Sequence, residues 1–203
     1  MSEAKIRLSQ KEMEIISDAD LILTKNSILQ KVNQLLGGLQ QDQQSFLIAD
    51  GKVLPAELLN SSPKISKGEN YKGLPYLMLD YPRVFSPSAI FAFRTMFWWG
   101  HFFSTTLLLS GSYKIKLEQK IIDAYTSLKE KDFFICINDD PWEHDFETIN
   151  YKPIKAISKN DLASLIKENS FIKLSNKIPL QQWDNAAAIL LQHFQQLVRS
   201  VID

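Results

Sequence analysis

Residues 90–110 read IFAFRTMFWWGHFFSTTLLLS and contain one charged side chain, in a chain where charged residues make up 23%. The aromatic and Thr-rich content on both sides of Gly100 favours two strands. Gly100 and His101 suit a two-residue hairpin turn with glycine at its first central position. Such a turn pairs Trp98 with Phe103. The predicted strands are 90–98 and 102–109.

A helix over 87–99 is the alternative for the first half of this stretch. Ser86 followed by Pro87 is typical of a helix start, and Gly100 is typical of a helix end. A membrane span is not expected, although residues 95–113 carry no Lys, Arg, Asp or Glu. A spanning helix needs about 20 predominantly apolar residues. Gly100 and His101 interrupt this shorter run, so we predict no integral membrane segment.

The predicted hairpin has two apolar faces. An antiparallel pair with one solvated face would alternate apolar and polar residues, so neither face should be left to water. Helices of the same chain can cover one face, and the other then needs further helices, a second subunit or a ligand. The first face carries Phe91, Phe93, Phe97, Trp99, Phe102 and Leu108, and the second carries Ile90, Ala92, Met96, Trp98, Phe103, Leu107 and Leu109.

Outside the hairpin, helical periodicity alternates with short runs of β-forming residues. A helix near 10–16 is followed by a second helix that we expect to stop at Gly37-Gly38. Later helices are predicted over 114–129, after Ser158 and after Pro179. The remaining predicted strands are 64–69, 75–80, 133–138, 149–156 and 170–176.

These elements predict an α+β fold with a largely antiparallel sheet of about six or seven strands packed by helices. We expect a single domain over 1–203, with a helical N-terminal segment over 1–50 and a sheet-and-helix body over 64–203. At 203 residues the chain is long enough to bury a core without disulfides or a structural metal.

The charge balance argues against a nucleic-acid partner. The chain has 23 basic and 23 acidic residues, so it lacks the net positive charge that attracts phosphate backbones. Cys136 is the single cysteine and lies in an apolar run, so we interpret it as a buried residue. A chain without a possible internal disulfide, and without a signal-peptide pattern, predicts a cytoplasmic location.

Arg94 falls on the second apolar face of the predicted hairpin. Its guanidinium needs an acceptor there, because it cannot lose its charge. Asp80 is the intramolecular partner that we expect. The alternative is a pocket in which Arg94 binds a carboxylate or phosphate between aromatic walls. The candidate ligand-binding residues are Arg94, Asp80, Trp98, Trp99 and His101.

The segment NDDPWEHDFE, residues 138–147, follows a predicted strand and carries five carboxylates with His144. Carboxylates and one imidazole can bind a divalent metal, and an Asp beside His144 could make it a general base. The spacing from Asp139 to Glu147 matches no metal motif, and a solvated acidic loop is the simpler interpretation. We predict no metal and no cofactor.

One stretch of the sequence carries a resemblance. GLPYLMLDYPRVF, followed by IFAFRTMFWWGHFFSTTLLLSG, resembles hypothetical proteins of Bacteroidetes-type bacteria over about 40 residues, 73–111. The resemblance implies a bacterial origin and a family of unknown function. It transfers no catalytic residue to this chain.

Two hypotheses for the function follow. The first is a non-enzymatic cytosolic interaction or assembly protein, a homo-oligomer or the subunit of a protein complex, with its aromatic hairpin at an interface. The second is a protein that binds a small anion or an apolar ligand, or an enzyme, using Arg94 with Asp80 or the acidic loop with His144. The sequence contains no phosphate-binding loop, nucleophile elbow or dinucleotide fingerprint, so it does not decide whether the protein is an enzyme.

Overall fold

The computed structural model describes residues 6–49 and 54–201 and places them in one seven-stranded sheet with helices. All strand pairs are antiparallel, and the strand order is β1-β2-β3-β4-β7-β5-β6. The α+β prediction and the helical N-terminal segment are confirmed. The strands are β1 Lys64–Tyr71, β2 Leu74–Phe85, β3 Ile90–Trp98, β4 Phe102–Ser110, β5 Phe134–Cys136, β6 Tyr151–Pro153 and β7 Phe171–Pro179.

The helices lie on one face of the sheet. The long helix α2 packs against α7 and strand β2, while α7 and α4 pack against β4 and β7. Large apolar side chains of α2 and α7 meet the β3 and β4 residues of the same core, including Phe93, Phe103 and Leu107. The helices are α1 Gln10–Ser17, α2 Ala19–Ala49, α3 Ala56–Leu59, α4 Gly111–Asp123, α5 Tyr125–Glu130, α6 Lys159–Glu168 and α7 Ala186–Val201.

The central hairpin consists of strands, as predicted, but its register differs from the prediction by one residue. Trp98 is opposite Phe102 and Phe97 is opposite Phe103, so three residues and not two form the turn. Gly100 adopts φ +75° in that turn, a conformation that glycine accepts without steric cost. A shift of one residue exchanges the two faces of a strand. The faces predicted for β4 are therefore wrong: Phe103, Leu107 and Leu109 face the helices.

Helix α2 does not stop at Gly37-Gly38 but continues to Ala49. Its buried residues recur every three or four positions on both sides of the glycines, so packing outweighs their low helix propensity. Those buried residues are Leu29, Val32, Leu36, Leu39, Gln43 and Leu47.

Two other helix boundaries differ from the prediction. The helix predicted over 114–129 is divided at Ala124 into α4 and α5. Pro179 ends β7 and precedes a 3-10 helix over Leu180–Asn185, and α7 begins only at Ala186. Within residues 6–49 and 54–201, no helix has both the length and the apolar composition needed to cross a bilayer.

Candidate functional site

The sheet face opposite the helices is partly polar. Asp80 of β2 and Arg94 of the neighbouring β3 lie on it, and so does Lys173 of β7, which is separated from β3 by β4; apolar residues surround all three. We call residues 138–150, which connect β5 to β6, the capping loop, because they fold over this face. The loop is closed at its base, where Asn138 Nδ2 donates to Asn150 Oδ1 at 2.8 Å.

Tyr71, at the end of β1, fixes one side of the capping loop. Its hydroxyl oxygen accepts hydrogen bonds from the backbone N–H groups of His144 (2.7 Å) and Asp145 (3.0 Å). The same hydroxyl donates to the Glu143 carboxylate. Lys72 adds an ion pair with Asp145, Nζ to Oδ2 at 2.7 Å. Two of the five acidic residues of the loop, Glu143 and Asp145, are therefore bound to the β1 end of the sheet and are not only a solvated surface.

Lys173 fixes the capping loop from the other side. It is fully buried, and its ammonium donates to the backbone carbonyls of Pro141 (2.9 Å) and Glu143. His144 Nδ1 lies 3.5 Å from the same nitrogen. Burial lowers the pKa of Lys173 from 10.5 to about 7, because water no longer solvates its charge. The amine is therefore a buried anchor whose charge is costly.

His144 is buried at 8% exposure beneath the loop. Burial, and then the charges of Lys173 and Arg94, lower the pKa of His144 well below 6.5. The imidazole is thus neutral at neutral pH and adds no second positive charge beside the Lys173 amine. In the described part of the chain, no three His, Cys, Asp or Glu side chains converge as a metal site would require.

Phe146 of the capping loop covers the apolar part of the same face. Its ring stacks on Tyr151 at 4.5 Å between centroids and meets Phe102 edge-on at 5.2 Å. Met96 and Trp98 are buried in this cluster, at 1% and 2% exposure. The face of the hairpin opposite the helices is therefore covered by side chains of its own chain.

An open cleft of about 600 Å³ lies beside the capping loop, and we call it the Arg94 cleft. It holds three cations and one carboxylate, and two aromatic rings form part of its wall. Phe85 and Trp142 are both exposed, at 37% and 46%, with ring centroids 6.1 Å apart. The lining residues are Lys64, Ser66, Asp80, Arg83, Phe85, Ser86, Pro87, Ile90, Arg94 and Trp142.

Arg94 pairs with Asp80, as the sequence predicted. Its Nε donates to Asp80 Oδ1 at 2.6 Å and its Nη2 to Oδ2 at 3.5 Å. The guanidinium carbon lies 5.1 Å from the Trp142 ring centroid and 5.7 Å from that of Phe85. The third nitrogen, Nη1, is buried and has no hydrogen-bond partner among the described residues.

The structure separates the other candidate residues from Arg94. His101 is exposed at the hairpin tip and stacks on the buried Trp98 at 3.6 Å. Trp99 is half-buried and lines a different groove, beside the start of α2. Arg94 and Asp80 thus share a cleft, while Trp98, Trp99 and His101 do not line it.

Sequence reasoning missed the aromatic walls of the cleft and the anchor of the loop. Trp142 lay within the quoted acidic segment, but nothing in that segment pointed to Arg94. Lys173 carried no signal of burial, since a lysine between Ile172 and Leu174 in a predicted strand is typical of a solvated face. Its burial follows from the capping loop, whose backbone carbonyls accept from its amine.

Comparisons with known proteins identify no relative. The chain matches no protein-family model, no curated protein and no solved structure.

Proposed function

We propose that this protein binds a small anion with a planar apolar part in the Arg94 cleft. The observation that carries the proposal is an arginine at an open cleft, next to two exposed aromatic rings that contact each other, with its buried Nη1 unpartnered among the described residues. Planar guanidinium groups bind carboxylates and phosphates through paired hydrogen bonds. Two aromatic walls add a contact surface for a flat ring.

The charges around the cleft support an anion as the ligand. Arg94 is largely neutralised by Asp80, but Lys64 and Arg83 line the same cleft and leave an excess of positive charge. Arg83 Nε donates to the Ser62 carbonyl at 3.1 Å, which holds this guanidinium near the cleft. A cleft with several cations concentrates anions from solution and strengthens their binding.

The reactive groups nearby favour binding over catalysis. Lys173 and His144 are enclosed beneath the capping loop and do not line the Arg94 cleft. The alternative of an aromatic-hairpin interface has less support, because Met96 and Trp98 already contact side chains of their own chain. The proposal includes a cytoplasmic location, which fits the single, buried Cys136, since a reducing compartment requires no disulfide.

Isothermal titration calorimetry with three probes tests the proposal. We expect benzoate to bind, its neutral isostere benzamide to bind at least about tenfold more weakly, and inorganic phosphate to be weaker than benzoate. Equal affinities for benzoate and benzamide would contradict an anion site. If phosphate bound as tightly as benzoate, the site would not require a planar apolar part in its ligand, which would contradict the proposal.

Variants of cleft residues outside the Arg94–Asp80 pair locate the binding site and keep both partners of that pair. Arg83→Met and Trp142→Ala should each weaken benzoate binding severalfold, because they remove a cation and an aromatic wall. Arg199→Met, on the far face of the sheet against Phe46, is the control for lost charge. Ile149→Ala, at a residue of the capping loop with 70% exposure, is the control for lost apolar surface. The proposal would be overturned if Arg199→Met weakened benzoate binding as much as Arg83→Met does, or if Ile149→Ala weakened it as much as Trp142→Ala does.

A further inference from the structure

The N-terminal arm, which we define as residues 6–24, exposes an unusual amount of apolar surface. Every residue of the arm is exposed, and the first buried residue of α2 is Leu29. A soluble chain usually scatters its exposed apolar side chains, whereas a continuous set marks an interaction surface. The large exposed apolar residues of the arm are Ile6, Leu8, Met13, Ile15, Ile16, Leu21, Ile22 and Leu23.

Helix α1 lacks the packing that a helix of its length needs. It has eight residues, none of them buried. Its start is well formed, since Ser9 and Glu12 make a complete capping box. A cap contributes only about 1 kcal/mol, and isolated helices shorter than about 12–15 residues are marginal in water. A second surface that covers Met13 and Ile16 would supply the missing stabilisation.

An apolar groove lies between the end of the arm and the body of the protein. The groove has a volume of about 630 Å³ and lies between the first turns of α2 and the corner of β2 with the hairpin tip. Leu74, Pro75 and the half-buried Trp99 form the wall that belongs to the body. The other wall consists of the end of the arm and the start of α2, and includes Leu21, Ile22 and Ile28, together with Asp18 and Asp20.

The charges of the arm are arranged in two blocks of opposite sign. Residues 6–11 contain Arg7 and Lys11 and no acid, whereas residues 12–20 contain four acids and no base. Two arms that run antiparallel place the basic block of one copy against the acidic block of the other. The groove is lined by two acids, Asp18 and Asp20, and by one base, Lys25, which is paired with Glu69, so the basic block of a second copy meets an excess of negative charge there.

We infer that two copies of this chain form a two-fold dimer in which α1 of each copy packs into the groove of the other. A two-fold interface is self-complementary, as the arm and the groove of one chain are here. The arm and the groove together supply about 20–25 residues per copy, the number found in a standard interface of roughly 800 Å² per partner. This dimer is independent of the proposed anion site, which lies at Arg94.

Sedimentation equilibrium of the full chain, from about 1 to 100 µM, tests the dimer. We expect a monomer–dimer equilibrium for the natural sequence. Ile16→Glu, at a position with 64% exposure, should weaken the dimer by at least about tenfold. Ile115→Glu, the same change at 72% exposure on α4, should leave it unchanged. Circular dichroism of each variant reports whether the monomer remains folded.

Complementary charge variants test the antiparallel contact itself. A chain with Arg7→Glu and Lys11→Glu should dimerise poorly alone, and so should a chain with Asp20→Lys. Their mixture should form a heterodimer, because each restores the opposite charge that the other requires.

The outcomes decide the inference. A natural chain that stays monomeric across the concentration range overturns it. A dimer that resists Ile16→Glu, or that Ile115→Glu weakens equally, overturns the location of the interface. Failure of the two charge variants to associate overturns the antiparallel arrangement.

Discussion

Arg94 Nε lies 2.6 Å from Asp80 Oδ1, and the two residues are directly paired on neighbouring strands. Their side chains are only 11% and 7% exposed, so each charge depends on the other for stabilisation. Removal of one partner leaves an uncompensated charge, which costs more than the loss of the pair as a whole.

Arg94→Met should lower the free energy of unfolding by about 3 kcal/mol, because Asp80 would remain charged and unpaired. The double variant Arg94→Met with Asp80→Asn should recover part of that loss, since the stranded charge is gone and the two positions are coupled. Urea unfolding of both single variants and the double variant measures the effect. Additive losses would contradict a coupled pair.

Lys173 predicts a rise in stability above neutral pH. Its pKa is about 7 in the folded protein and 10.5 by its ordinary value, so between these values the unfolded chain binds a proton that the folded chain does not. Stability therefore increases with pH in that window, by about 3 kcal/mol between about pH 7 and 9.5. Lys173→Met should remove this rise in urea unfolding at the two pH values.

The control for that measurement is Lys177→Met, four residues further along β7. Lys177 is exposed, and its replacement should preserve the rise seen in the natural sequence. A Lys173→Met protein with the same pH dependence as the Lys177→Met protein would show that burial of the Lys173 amine is not its source.

His193, on α7, predicts a loss of stability in acid. Burial lowers its pKa from 6.5 to about 4, so between these values only the unfolded chain is protonated there. Stability should fall as the pH drops through that window, and His193→Leu should reduce the fall by about 1–2 kcal/mol. Thermal unfolding at about pH 7 and 4.5 measures it. His101→Leu, at the exposed hairpin tip, should not reduce the fall.

Substitution of Gly38 by alanine should increase the stability of the protein. Gly38 lies inside α2, where an added Cβ would meet no atom within 4 Å. Gly38→Ala should raise the free energy of unfolding by about 0.5–1 kcal/mol, because alanine loses less backbone entropy in a helix. Gly73→Ala is the matched control: it also has open space, but its φ of +82° makes alanine unfavourable. A gain at Gly73, or none at Gly38, would refute this reasoning.

The strands could be predicted because each is a short run of β-forming residues between turn residues, and all seven lie where the sequence placed them. The register of the hairpin could not be predicted in the same way. A two-residue turn and a three-residue turn both suit Gly100, and apolar residues on both faces of β4 give no preference for either pairing. The continuity of helix α2 across Gly37-Gly38 was missed for a similar reason: residues 39–50 were predicted as a separate short helix, since local propensity does not reveal the packing of Leu39 and Leu47.

The Arg94–Asp80 pair could be predicted because both partners are charged side chains. The anchors of the capping loop could not, since Lys173 donates to backbone carbonyls and Tyr71 accepts from backbone N–H groups. Every residue has such groups, so no residue type marks the acceptor or the donor. The aromatic wall at Arg94 likewise depends on the path of the loop, which brings Trp142 next to Phe85 from a distant part of the chain.

Chemical modification of the enclosed Lys173 amine also reports on the opening of the capping loop. An uncharged amine attacks acylating reagents, and a pKa near 7 leaves much of this amine uncharged at neutral pH. Reagent reaches it only when the capping loop separates from the sheet, because the side chain has no exposed surface. The rate of its acylation, followed by peptide mass spectrometry, therefore reports how often the loop opens.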